Sequence, residues 1–249
     1  MLYKRTFPKI FKPPKSKYFL ITAKTILVLL SVGAVAGLFF WFGTSDFFKV
    51  KTIDCFKENF GCSQQENFLF ESLYGQNIFF LQTKIHSQNI AKKNPEILKV
   101  KIAKKLPNSL KIILIPRKAV AIFKKGEEKL LVDQTGFVFA RAEKTQTQLP
   151  LIITNRPLAI GEYLLSDLEK KALFLSSKLE GSFIHFGEIR LTNDDFLEVH
   201  DPGKLIATFS AQKPLTPQVD SLQYILNHSR MNQKVLKIDL RFDKPILVK

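Results

Sequence analysis

Ser210-Ala211-Gln212-Lys213 places a serine three residues ahead of a lysine, the S-x-x-K spacing that lets an amine reach a nucleophilic hydroxyl in penicillin-binding enzymes. The companion S-D-N and K-T-G motifs do not occur, and Pro214 would end any helix carrying the pair. The four histidines, His86, His185, His200 and His228, share no metal-ligand spacing, and neither H-E-x-x-H nor G-x-S-x-G is found. No glycine-rich phosphate loop is found either. Asp194-Asp195 is a carboxylate pair in an expected hairpin turn, and a turn explains both residues. Cys55 and Cys62 are the only cysteines, with six residues between them. They are expected to form a disulfide staple in an oxidising compartment, the alternative being two buried thiols. The spacing is too wide for a C-x-x-C redox centre, and two cysteines alone make a poor zinc site. These patterns point to binding by shape and not to catalysis.

The elements that would position such a surface begin with a membrane segment. Residues 1–24 hold seven Lys/Arg (Lys4, Arg5, Lys9, Lys12, Lys15, Lys17, Lys24) and no Asp or Glu. Residues 25–45 then carry no charge, and as a helix they span about 30 Å, the thickness of a bilayer's hydrocarbon core. The basic flank predicts a cytoplasmic N-terminus, with the bulk of the chain outside. Ala34-Val35-Ala36 offers a signal-type cleavage site, but the apolar run continues through Gly37 to Phe42, which favours an anchor. Of the chain's formal net charge of +16 the tail supplies 7, and the remaining +9 is spread along the rest of the chain, which suits anionic wall polymers or a membrane surface. It lacks the interleaved basic and aromatic surface of a nucleic-acid binder.

Beyond the anchor the pattern is α+β. A strand is predicted over Val50 to Cys55, then a helix opened by Ser63–Glu66 with Phe68, Leu69 and Leu73 apolar, and a break at Tyr74 to Asn77. A second helix carries Ile85, Ile90 and Ala91 inward and ends at Pro95. Leu98, Val100 and Ile102 alternate with lysines, a turn follows at Lys104 to Asn108, and Leu110, Ile112 and Leu114 complete a hairpin. From Lys118 short strands are predicted at 119–123, 129–132 and 137–139. Next comes a helix opened by Ser166 and Glu169 with the stripe Leu168, Ala172, Leu175, Leu179. Strands at 184–191, 196–199 and 205–209 precede a helix from Thr216-Pro217 that buries Val219, Leu222, Ile225 and Leu226. Two strands, 235–240 and 246–248, close the series. This second unit reads as mostly antiparallel α+β.

In order and spacing these pieces resemble the FtsQ/DivIB family of bacterial cell-division proteins over essentially the whole chain. The carriers are the basic tail and single helix, Phe47-Phe48-Lys49-Val50, and Gly75-Gln76-Asn77-Ile78-Phe79. They continue with Pro95, Leu106-Pro107-Asn108-Ser109-Leu110-Lys111-Ile112, Pro116-Arg117-Lys118-Ala119-Val120-Ala121, Leu131-Val132-Asp133 with Gly136-Phe137-Val138-Phe139, Leu149-Pro150, and Ile238 to Phe242. The chain departs from the family at Pro116 (acidic there), at Lys118 (Pro there), and where a cysteine-bearing loop replaces a Gly-Asn turn.

The resemblance implies a cytoplasmic tail 1–24, a transmembrane helix 25–45, a POTRA-like βααββ domain 46–117 and a β domain 118–249. It implies a divisome scaffold that links early and late division proteins, with no enzyme activity, cofactor, metal, nucleic acid or small-molecule substrate. Its partners would be other divisome membrane proteins, FtsB/FtsL-like coiled-coil chains among them, and the lipid bilayer. A POTRA-bearing secretion or outer-membrane assembly protein and a membrane-tethered wall enzyme are the alternatives. The implied partner-binding edge covers Ile238 to Val248, with Arg241, Phe242, Ile246 and Val248 as candidate anchors. The alternative for each is an ordinary core position.

Overall fold

The computed structural model describes residues 17–58, 60–142, 149–193, 195–203, 205–228 and 235–248. Residues 1–16, and with them most of the basic tail, lie outside the described residues, as does Asp194. The chain divides into two compact units. The first holds the chain up to Asp54 together with Gln64–Gln82 and Ala103–Lys111; the second holds Cys55–Ser63, Thr83–Ile102 and Ile112–Lys249.

In the first unit, helix α1 (Lys17–Thr44) contains one stretch, Thr25–Thr44, long and apolar enough to cross a membrane. A helix is the form such a stretch must take, because lipid offers no partner for unpaired backbone groups. A 3-10 turn at Asp46–Phe48 follows, with Ser45 Oγ accepting from the Phe47 N–H. The segment Phe48–Val50 then pairs antiparallel with Gly75–Ile78: Ile78 N–H donates to Phe48 O, Val50 N–H to Gln76 O, and Gly75 N–H to Val50 O. Gly75 sits at φ +74°, a left-handed backbone that suits glycine. The buried core of this unit is Val50, Phe70, Leu73, Ile78, Leu81 and Leu110.

Strands β1 (Thr52–Lys57), β2 (Phe60–Gly61), β3 (Ile97–Lys105) and β4 (Ser109–Pro116) form a four-stranded sheet in the order β2-β1-β4-β3 among the described residues. Between β2 and β3 lie α2 (Gln64–Phe68), a 3-10 turn at Glu71–Leu73, and α3 (Thr83–Lys93). The strand–helix–helix–strand–strand order matches the expected one, with β2 added. Two details differ. Phe68 is 68% exposed, and Phe70 takes the core position expected of it. Ile85 is half exposed, because α3 is a lysine-rich helix with no fully buried residue. In the hairpin the alternation of β4 holds throughout, with Leu110, Ile112 and Leu114 all buried. On the outer strand β3, Val100 is buried and Leu98 is exposed.

The second unit is built on a nine-stranded sheet, counted over the described residues, in the order β13-β12-β11-β10-β9-β8-β5-β6-β7. Its strands are β5 (Ala119–Lys125), β6 (Glu128–Asp133), β7 (Val138–Arg141), β8 (Leu151–Ile153), β9 (Glu188–Asn193), β10 (Phe196–His200), β11 (Ile206–Ser210), β12 (Lys237–Asp239) and β13 (Ile246–Val248). Strand β8 was not anticipated. Three residues, Leu-Ile-Ile, give no periodicity, yet they run parallel to both β5 and β9 and join two antiparallel meanders. Strand β9 begins at Glu188 and not at Ile184, because α4 (Asp167–Gly181) is followed by Phe183 at φ +56°.

Helices α4 and α5 (Leu215–His228) cover one face of the sheet. Leu168, Ala172, Leu175 and Leu179 pack there with Val219 and Leu222 against Ala121, Phe123, Val132, Ile152, Phe209 and Ile238. Helix α5 starts at Leu215, two residues ahead of Pro217. The expected Ser166–Glu169 capping box does not form. Ser166 makes no side-chain cap bond, and Glu169, 2% exposed, instead accepts from Thr154 Oγ1 at 2.9 Å.

Arg117, at the exit of β4, ties several stretches of this unit together. Its Nε donates to Pro95 O at 2.9 Å, its Nη1 pairs with Asp133 Oδ2, and its guanidinium lies 3.9 Å from the Phe137 ring centre. Asp133 Oδ1 accepts from the Thr135 amide, the Thr135 hydroxyl and the Phe137 amide. Burial pushes the Asp133 carboxyl up, but the hydrogen bonds from Thr135, Phe137 and Arg117 prevail and hold it below the ordinary carboxylate value.

Because the folded value is depressed, the stabilisation from Asp133 is fully present above about pH 4 and is lost as pH falls through the folded value. Asp133→Ala leaves the largely buried Arg117 charge without its carboxylate, and is expected to cost about 3 kcal/mol. Thermal unfolding of the detergent-solubilised chain at pH 7 and at pH 3 checks both. The variant should lose less stability on acidification than the parent.

Candidate functional site

The candidate edge is the last hairpin of the large sheet. Strand β12 lies parallel to β11 and antiparallel to β13, in the register Lys237↔Val248, Ile238↔Leu247, Asp239↔Ile246. Toward β11 it uses alternate residues: Ile206 N–H donates to Leu236 O, and Leu240 N–H donates to Thr208 O. Lys237 and Asp239 therefore turn their backbone groups toward β13, where they meet Val248 and Ile246. By this alternation the residue between, Leu247, has its N–H and C=O on the side away from β12, and Val248 O also accepts from the Leu236 N–H at 3.0 Å. β13 stands at the end of the strand order among the described residues, and its three side chains are each about half exposed.

The hairpin's turn is fixed by two ion pairs. Arg241 grips Asp239 through Nε–Oδ1 at 2.8 Å and Nη2–Oδ2 at 2.5 Å, and its guanidinium lies 4.6 Å from the Phe196 ring centre. The Arg241 hydrogen bonds outweigh burial and hold the Asp239 carboxyl below its ordinary value. Lys213 Nζ meets Asp243 Oδ1 at 2.7 Å. Pro245 closes the turn without an N–H to offer the ladder.

The four sequence-derived anchors thus separate. Ile246 and Val248 lie on the outer strand, and Phe242 is an exposed turn residue. Arg241 is half-buried and engaged with Asp239 and Phe196, so its work is to hold the turn. Leu247, which the sequence reading passed over, carries the outward backbone groups. Only the hydrogen-bond pattern of β12 reveals this.

The other chemical candidates fall elsewhere. Lys213 of the S-x-x-K pattern is bonded to Asp243, while Ser210, buried at the end of β11, accepts from the Gln212 amide. His228 stacks on Tyr224, and no group of three metal-ligating side chains is found among the described residues. Asp195 accepts from Gln212 Nε2. Cys55 and Cys62 are joined as a disulfide between β1 and the residue after β2, with Cα atoms 5.4 Å apart.

Residues 69–115, which run from the end of α2 through α3 and β3 into β4, match the family model described as the POTRA domain, FtsQ-type. The chain carries an FtsQ-type POTRA domain. With the apolar helix ahead of it, that domain supports the FtsQ/DivIB family and a scaffold-like role in cell division, acting through protein–protein contacts. FtsQ-type POTRA proteins are generally non-enzymatic. No curated protein matches the chain.

The disulfide lies next to the FtsQ-type POTRA domain and closes a short loop. Replacing both cysteines by serine is expected to lower stability by about 2 kcal/mol. Denaturant unfolding of the double variant checks this. Equal midpoints for variant and parent under oxidising conditions would show that the staple is not formed in solution.

Proposed function

We propose that this protein is a membrane-anchored scaffold of the bacterial divisome. It would link early and late division proteins at the septum, with the N-terminus in the cytoplasm and residues 46–249 outside. The order of parts supports the reading: a membrane-length helix, an FtsQ-type POTRA domain, then a sheet ending in an open strand. The absence of acidic residues in 1–24 supports the orientation, since cytoplasmic flanks are the basic ones. A disulfide outside the cytoplasm agrees with it.

The mechanism we infer is strand addition at β13. An extended segment of a partner would bond to the outward N–H and C=O of Leu247, with Ile246, Val248 and Phe242 as apolar contacts. Arg241 would serve by holding the turn. FtsB/FtsL-like coiled-coil proteins are the partners this surface suits. The POTRA domain is assigned to the upstream division proteins as a second contact surface, and residues 46–117 and 118–249 are proposed as the functional divisions of the chain.

Depletion of the protein in its own host should give filaments, with a fluorescent fusion at midcell; normal division with uniform membrane label would sink the proposal. Leu247→Pro removes the outward N–H without touching the bonds to β12. It should weaken partner capture about tenfold while leaving the fold intact. Co-purification from membranes, with a near-ultraviolet circular dichroism check, measures both.

A further inference from the structure

The final turn of α1 is closed by a side chain from a distant part of the chain. The last carbonyls of a helix lack intrahelical donors. Here Trp41 O takes the Ser45 N–H at 2.9 Å, while Phe42 O and Gly43 O both accept from Asn77 Nδ2, at 2.7 and 3.1 Å. Asn77 is itself fixed: its Oδ1 accepts from the Phe79 amide at 2.9 Å, and its C=O accepts from the Phe80 and Leu81 amides. With Phe48–Val50 zipped to Gly75–Ile78, no free hinge separates Thr44 from this loop.

That cap carries two phenylalanines to the end of the apolar span. The Phe79 ring centre lies 6.1 Å from that of Phe42 and 5.0 Å from that of Phe48. The Phe80 ring approaches so closely that a Cβ built on Gly43 would meet it at 3.4 Å. Phe47, Phe79 and Phe80 nevertheless remain largely exposed. One lysine is placed beside them: Lys104 Nζ donates to Phe79 O at 3.2 Å, while Lys49 pairs with Asp46 at 2.5 Å and Lys105 with Asp54 at 3.5 Å. Exposed aromatic rings with a lysine beside them, at the end of a 20-residue apolar helix, match a phospholipid interface.

We propose that Phe47, Phe79 and Phe80, with Trp41 and Phe42, form a second membrane-contact site, in which the rings enter the upper acyl layer and Lys104 meets a lipid phosphate. The occupant is the bilayer surface, because the site is continuous with the end of the membrane-spanning helix. The inference rests on α1 crossing a bilayer and is independent of the division role.

The test uses the full chain in nanodiscs of phosphatidylethanolamine and phosphatidylglycerol, with lipid brominated high on the acyl chain as the quencher. Trp41 is the sole tryptophan and reports insertion of α1. The variant Phe80→Trp in a Trp41→Phe background reports the loop. Its emission is expected to fall by about half with brominated lipid, as for an interfacial aromatic. No quenching in the variant, with Trp41 quenched in the parent, overturns this inference alone; an unquenched Trp41 removes the anchor as well. Adding Asn77→Ala should reduce the loop's quenching about twofold, since the cap is lost. Unchanged quenching there would refute the cap's role in seating the loop.

Discussion

A largely buried charge held by a carboxylate, a carbonyl and a ring face organises the larger unit. Arg117 arrives at the end of a strand and is taken out of water, which is tolerable only if its donors are used. Two are bonded, one by the Pro95 carbonyl and one by Asp133, with the guanidinium face against Phe137. Asp133 in turn gathers the Thr135 and Phe137 amides, and so shapes the tight turn between β6 and β7. Gly136, at φ +80° with Leu164 packed at 3.6 Å, completes that turn. Four separate stretches of chain thus share one solution to one desolvation problem.

The same economy recurs at the other two surfaces. At the helix end, Asn77 supplies donors where carbonyls lack them. At the sheet end, Arg241 and Lys213 hold the turn so that β13 can stand with one side bonded. In each case a polar side chain fixes backbone geometry, and apolar residues supply the exposed area.

Much of this was legible in the residues. The uncharged run 25–45 and the alternation of Leu110, Ile112 and Leu114 follow from periodicities that burial imposes directly. So does the stripe Leu168, Ala172, Leu175, Leu179. What escaped depended on long-range pairing. Strand β8 is three apolar residues whose identity as a strand comes entirely from the neighbours on either side. Glu169 looked like a cap residue and became a buried partner for Thr154, because tertiary contact overrode local chemistry. Leu247 looked like any apolar residue until the bonding of β12 decided which way its backbone faced. Arg241 and Asp239, two apart, gave no sign that they would clasp each other.

Strand β8 has a consequence for how the molecule comes into being. The meander β5–β6–β7 and the run β9–β10–β11 are each made by neighbours in sequence, so each can assemble from local turns. Leu151–Ile153 is bonded on both sides and is therefore a seam: the sheet stays in two halves until residues on each side of it have arrived. A chain that crosses a membrane from its anchored end delivers β9 to β13 last. If β13 is the recognition edge proposed above, that edge would exist only on molecules whose export is finished, and half-translocated copies would offer nothing to recruit.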